Sequence, residues 1–302
     1  MPRTRRKKST TVRLFSLLRL GFRIGERLAP GLSGRTVARL WFRLPAPAAK
    51  RRRSRLPAGG YPIEFDSDGT TVRGYDWGRG RLVYLQHGWG GCIGDFDNLA
   101  ASLVANGFRV IAVDAPSHGN SGTGPYGARE SSPLHSAAAL STAIDKFGEP
   151  HAVVAHSLGC LSSVIALRDR RAIPRVVLIA PFVGGATFTD LFAKQLRAGP
   201  RTLDRFVTIV ESRVGKPLNY FDIVTSGLGS PTLVVHDRND RSTPFAHGRL
   251  LADSWPDTQL YPTESLGHMR ILRNPSVIGE IMAYLDSRGT PPAPGTKPAE
   301  NA

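Results

Sequence analysis

The chain has 302 residues, a length suited to one large domain or a domain with an appendage, and long enough to bury a substantial core. With 41% hydrophobic and 21% charged residues it has the make-up of a globular protein, and no run of about 18 uncharged apolar residues is present to span a bilayer. The formal charge of +16 is concentrated: residues 1–59 hold seventeen of the 40 Lys and Arg and a single acid, Glu26, leaving 23 of each sign in the remainder.

The basic excess therefore belongs to an N-terminal extension, and the body is neutral. Residues 1–8 are basic and expected to be disordered. Residues 11–28 read as a helix, with Leu14, Leu17, Leu18 and Phe22 near helical spacing and Arg13, Arg19, Arg23 and Arg27 between them. A second short helix is expected over 34–44. Lys50 to Arg53 and Arg55 then fall in a Pro/Ala-rich linker, so the extension and linker are read as 1–59. Arginine interrupts the apolar pattern too often for a secretory signal. Two readings stay open for residues 11–44: a basic amphipathic helix on an anionic membrane surface, or a solvated helix resting on the main domain. No recognition motif accompanies the charge, and the neutral body argues against nucleic acid as a partner. Cys92 and Cys160 form neither a disulfide framework nor a metal motif and are expected to be small reduced residues. A cytoplasmic location is expected, with peripheral attachment to the inner membrane face as the alternative.

From residue 61 short β-branched runs alternate with helical patterns. Residues 62–66 and 71–77 read as two opening strands joined at Asp68-Gly69. Further strands are expected at 82–86, 110–113, 152–155, 176–180, 232–236 and 259–263. Helices are expected at 95–106, 132–147 and 158–169. This alternation predicts an α/β fold: a mostly parallel sheet with helices on both faces, spanning 60–289. In such sheets, chemistry collects where strands end. There the chain places His87-Gly88-Trp89-Gly90-Gly91, Asp114 to Gly122, His156-Ser157-Leu158-Gly159, Asp237 to Asp240, and Glu264 to His268.

These five strand-end segments, in this order, resemble the α/β-hydrolase superfamily over about residues 61–287. The resemblance leaves out the extension and a tail from 290, which is expected to be disordered. It implies that Ala155-His156-Ser157-Leu158-Gly159 is a nucleophile elbow, in which small residues two before and two after the serine admit a strained turn. The family usually has glycine where Ala155 stands. It implies His268 as the general base, because a serine hydroxyl needs one to become nucleophilic. For the acid, aligning His236 with the family's usual histidine puts Asp240 at the carboxylate position; Asp237, which replaces the usual glycine, is the alternative. Backbone N–H groups of Trp89 and Leu158 are the expected oxyanion hole. His87, Gly88 and His156 are expected to line the substrate pocket.

Roughly fifty residues, 181–230, separate two strands and contain helical pattern at 189–197 and 202–212. In the superfamily such an insertion forms a cap, and Phe182, Phe188, Phe192, Phe206 and Phe221 are candidates for an acyl pocket or for packing of the cap itself. The implied activity is hydrolysis of a small carboxylic ester or thioester through an acyl-enzyme. An acyltransferase, an amidase and a carbon–carbon hydrolase fit the same triad, and a membrane-associated non-catalytic binding protein is the reading from another class. No metal site is expected, and no phosphate-binding glycine motif calls for an organic cofactor.

Overall fold

The computed structural model describes residues 19–45, 56–170, 173–185, 189 and 196–287. Residues 1–18, the basic cluster 50–55, most of the expected 189–197 helix and the tail from 290 lie outside the described residues. The chain divides into two compact units, Met1–Arg43 with Gly184–Asp222, and Leu44–Val183 with Ile223–Ala302.

In the first unit a helical stretch at 19–28 is followed by α1 (Pro30–Phe42), in which proline occupies the first turn, where its missing N–H leaves no bond unmade. The second short helix thus starts earlier than the 34–44 expected. The partner of α1 comes from far along the chain, within the segment expected to be a cap. There the helix Pro200–Val214 packs on α1, with Trp41 edge-on to Phe206 at 5.4 Å between centroids and Arg213 lying 4.6 Å from the Phe42 ring centroid. Gly34 permits the close approach: a Cβ there would sit 2.7 Å from Arg205 Cβ.

The second unit carries one eight-stranded sheet, in the order β1-β2-β4-β3-β5-β6-β7-β8. The strands are β1 (Tyr61–Ser67), β2 (Thr70–Trp77), β3 (Arg81–Gln86), β4 (Phe108–Asp114), β5 (Ala152–His156), β6 (Arg175–Ile179), β7 (Thr232–Asp237) and β8 (Thr258–Thr263). The first two pair antiparallel and β2 meets β4 antiparallel; from β4 to β8 every pairing is parallel. All eight expected strands are therefore present. The expected helices follow as α2 (Asp97–Ala105), α3 (Pro133–Phe147) and α4 (Leu158–Leu167), then α5 (Pro200–Val214) in the first unit. Also described are α6 (Ile223–Ser226), α7 (Phe245–Ser254), α8 (Gly267–Arg270) and α9 (Pro275–Asp286).

Central strands covered on both faces need apolar residues at every position rather than at alternate ones. β5 fits this: all five of its residues are buried. Val83, Leu85, Val110, Ala112, Val154, Val177 and Val235 form a core with Leu99 and Leu103 of α2 and Ile281 and Leu285 of α9. This packing fixes the carboxyl ends of β3, β5, β6 and β7 side by side, and the loops that leave β3, β5 and β7 hold expected site residues.

Candidate active site

Ser157 sits on the turn between β5 and α4 with φ +56° and ψ −124°, a conformation that non-glycine residues rarely adopt and that costs roughly 1–3 kcal/mol. The surroundings over-determine it. Its N–H donates to Ile179 O (2.9 Å), and its carbonyl accepts from Cys160 N–H (3.0 Å) and Phe182 N–H (3.2 Å). The small neighbours are sterically required. A Cβ at Gly159 would lie 2.5 Å from the carbonyl oxygens of Gln86 and His87, and one at Gly88 would lie 2.8 Å from Ser157 Cβ. Ala155 is fully buried, and its methyl is the bulk tolerated where the family usually has glycine. Cys160 is buried beneath the turn, where burial pushes its thiol pKa upward.

His268 is the second residue of the four-residue α8, whose first residue Gly267 and preceding Ser265 both have positive φ. Its Nε2 lies 3.0 Å from Ser157 Oγ, and its Nδ1 lies 2.7 Å from Asp240 Oδ2. The hydrogen-bond network assigns Nδ1–H as donor to Asp240 and Nε2 as acceptor of the serine proton.

Asp240 is brought to this point by the turn after β7, and its carboxylate is fully used. Oδ1 accepts from the N–H groups of Ser242 (2.7 Å) and Thr243 (3.1 Å), and Oδ2 lies 3.1 Å from Thr243 Oγ1. Burial acts to raise its pKa, but the hydrogen bond and charge of His268 and the two backbone donors outweigh burial and hold it at about 2.

The alternative acid, Asp237, is brought to a different task. Its Oδ2 accepts from Thr263 Oγ1 (2.8 Å) and Leu266 N–H (2.9 Å), and its Oδ1 from Asn239 N–H (3.0 Å). Burial raises its pKa, but these donors prevail and keep it below the usual carboxylate range. Asp237 thus ties down the loop that delivers His268 and makes no bond to the imidazole.

The two neighbouring histidines are struts. His87 accepts Ala115 N–H at Nε2 (3.0 Å) and donates from Nδ1 to Gly88 O (2.8 Å), which ties the loop before Trp89 to the end of β4. His156 donates from Nε2 to the His268 carbonyl (2.9 Å), with ring centroids 4.6 Å apart. Both are buried, and the bonds of their rings hold backbone in place. Gly88 serves by having no side chain. Of the two expected oxyanion donors, Leu158 directly follows Ser157, and Trp89 follows Gly88, which lies against Ser157 in space.

Thr243 escaped the sequence reading, and His236 entered it only as a point of alignment. Thr243 binds Asp240 through both its N–H and its hydroxyl; its position three residues after an aspartate is the signal that could have found it. His236 is buried with Nε2 donating to Thr243 O (3.2 Å) and 3.7 Å from Asp240 Oδ2. Burial lowers its pKa to about 4, so it stays neutral beside the acid. A cavity of about 790 Å³ lined by Gly90, Gly91, Cys92, His118 and Arg129 includes none of Ser157, Asp240 and His268. Of the five candidate pocket phenylalanines, Phe206 is buried against Trp41, and Phe188 and Phe192 lie outside the described residues. Among the described residues no group of three His, Cys, Asp or Glu is placed to hold a metal, and no helix is long and apolar enough to cross a membrane.

A mostly parallel sheet with a strained serine after β5, an aspartate after β7 and a histidine after β8 is the arrangement of an α/β-class hydrolase. The chain belongs to the alpha/beta hydrolase family, whose sequence profile matches residues 82–258. It is 43% identical over 60 residues to a non-heme haloperoxidase of Rhodococcus erythropolis, a match spanning 20% of this chain and 22% of that protein. A longer match, 28% identical over 240 residues, covers 64% of this chain and 83% of a 2-hydroxy-6-oxononadienedioate/2-hydroxy-6-oxononatrienedioate hydrolase of Pseudomonas putida. Among solved structures, an esterase from Exiguobacterium antarcticum superposes with a TM-score of 0.58 at 16% identity, over 74% of this chain and 99% of the esterase, a likeness of fold.

Proposed function

We propose that the protein hydrolyses small carboxylic esters or thioesters, with Ser157 as nucleophile, His268 as general base and Asp240 as the carboxylate that orients it. The observation that carries this reading is the bridging imidazole, 3.0 Å from Ser157 Oγ on one side and 2.7 Å from Asp240 Oδ2 on the other. Ser157 Oγ attacks the ester carbonyl carbon as His268 Nε2 takes its proton. The carbonyl electron pair moves onto oxygen, where the N–H groups of Trp89 and Leu158 are the proposed donors. Collapse expels the alcohol or thiol, which takes the proton from Nε2 and leaves an acyl-serine. Water, deprotonated by the same nitrogen, then releases the acid and restores the serine. Asp240, held at about 2, is anionic throughout and stabilises the transient imidazolium.

The test is labelling with a fluorophosphonate probe alongside p-nitrophenyl ester turnover. Wild type is expected to label and to turn over, and Ser157→Ala to do neither; equal labelling of the two overturns the reading. A second reading, hydrolysis of a carbon–carbon bond, is favoured by the 240-residue match to the Pseudomonas putida hydrolase. It predicts cleavage of a vinylogous 1,5-diketone acid with simple esters left poorly turned over, and the ester assay separates the two.

A further inference from the structure

The first unit carries a surface that catalysis does not use. In the helical stretch 19–28, Leu20, Ile24 and Leu28 are 53%, 51% and 80% exposed, and in α1 Leu32 and Leu40 are 67% and 37% exposed. These five are most of the seven large apolar side chains exposed among the described residues, so the apolar exposure is concentrated here. An α-helix turns about 100° per residue, so positions four apart form one slowly drifting row. Leu20, Ile24 and Leu28 make such a row, as do Leu32, Thr36 and Leu40.

Arginine runs beside both rows. Arg23 and Arg27 come three residues after Leu20 and Ile24, and Arg35 and Arg39 three after Leu32 and Thr36; all four are exposed. Residues three apart are neighbours on a helix surface. The opposite faces, with Phe22 on one helix and Val37, Ala38 and Phe42 on the other, are buried. Glu26, the only acid of residues 1–59, is turned to the start of α5, where it accepts from Arg201 N–H (2.9 Å) and Thr202 N–H (3.0 Å). Among the described residues the exposed face of both helices therefore holds no acid.

We propose that this face docks the protein on the surface of a bilayer containing anionic lipid, with the leucine and isoleucine row at the acyl boundary and the arginines on headgroup phosphates. Paired apolar and basic rows are the pattern of helices that lie in a membrane interface. Other occupants meet only half of it. Nucleic acid would use the arginines and leave the apolar row in water. A second copy would bury the apolar row but bring arginine rows of like charge together.

The experiment is flotation of the full-length protein with vesicles of phosphatidylcholine, alone or mixed with phosphatidylglycerol. Wild type is expected to float with the mixed vesicles and not with phosphatidylcholine alone, and less so at high salt. The triple variant Leu20→Ser/Ile24→Ser/Leu28→Ser should lower the partition coefficient by at least about tenfold, since each side chain loses its burial in the interface. Arg23→Gln and Arg27→Gln should each lower it about fivefold. Leu28→Ser, at the most exposed site, is the reserve should the triple variant lose its helical circular dichroism; it should still lower partition about threefold. Turnover of a short soluble ester is expected to be unchanged in all of them. Failure of wild type to float with the mixed vesicles overturns the proposal. So does equal flotation of the serine variants, which would leave charge alone as the cause. Wild-type self-association without lipid, lost in the serine variants, also overturns it and assigns the row to a second copy.

Discussion

Exchanging the two aspartates of the β7 turn for asparagine tests Asp240 as the proposed orienting acid against Asp237. In Asp240→Asn the side-chain oxygen is expected to stay with the N–H groups of Ser242 and Thr243, because these two donors bind Oδ1 in the wild type. The amide NH₂ then replaces Oδ2, 2.7 Å from His268 Nδ1. Two donors cannot share that contact, so the imidazole takes the tautomer with its proton on Nε2, which faces Ser157 Oγ with a hydrogen where a lone pair is needed. The expected loss in kcat is about 10³- to 10⁴-fold, with KM little changed. In Asp237→Asn the NH₂ must meet either Asn239 N–H, in place of Oδ1, or Leu266 N–H, in place of Oδ2, leaving a partly buried donor unpaired, at about 1–3 kcal/mol of stability. The melting temperature should fall by roughly 2–12 °C, while turnover drops no more than about 100-fold through looser placement of His268. Initial rates on a p-nitrophenyl ester, the rate of fluorophosphonate labelling and thermal melts read all of this. A folded but inactive Asp237→Asn beside an Asp240→Asn that keeps a tenth or more of wild-type turnover would refute these roles.

Other variants probe the scaffold around the serine. Gly159→Val brings carbon within 2.5 Å of the Gln86 and His87 carbonyls and is expected to destabilise the domain by about 3 kcal/mol or more, seen as a lowered urea midpoint; a midpoint equal to wild type would sink the elbow geometry. Thr243→Val deletes the hydroxyl 3.1 Å from Asp240 Oδ2 and keeps the N–H bond, so kcat should fall about tenfold with KM unchanged, and Thr243→Ser should restore it. Acid stability carries a signature of Asp240. Its folded pKa, about 2, lies below its ordinary 3.8, so its contribution is complete above the ordinary value and disappears as pH falls through about 2. The stability gap between wild type and Asp240→Asn should accordingly narrow from pH 5 downwards; a gap that stays flat contradicts the assignment.

The sheet was legible because buried parallel strands are written as short apolar runs, and β3, β5, β6 and β7 each appear as one. Ser157 was legible for a steric reason: its turn admits only small residues at 155 and 159, and those are what the chain carries. The bonds of His87 and His156 were not legible, since a histidine next to a strand-end motif looks the same in sequence whether it faces a ligand or ties down a carbonyl. Only the partners of its ring nitrogens distinguish the two, and those partners, Ala115 and the carbonyl of His268, are distant in the chain. Spacing from His236 favoured Asp240 over Asp237 but did not reveal the partners that differ between them: His268 Nδ1 for Asp240, and Thr263 and Leu266 for Asp237.

The N-terminal extension shows the limit of charge counting most directly. Seventeen bases against one acid suggested a segment apart from the fold, yet that one acid is where the extension meets the rest of the first unit. Glu26 caps α5 because Gly199 leaves it room: a Cβ at Gly199 would sit 2.4 Å from Glu26 Cδ. Slight burial raises its carboxyl pKa, but the bonds from Thr202 and Arg201 outweigh this and hold it below the usual range, as expected for an anion at a helix N-terminus. Gly34 against Arg205 and Trp41 against Phe206 continue the same contact along α1. Removing residues 1–43 would therefore strip the buried face from α5 as well as removing positive charge. Activity lost on truncation would not separate membrane attachment from damage to the 184–222 segment. Substitutions on the exposed rows at 20, 24, 28, 23 and 27 do separate them, because they leave Glu26, Gly34 and Trp41 in place.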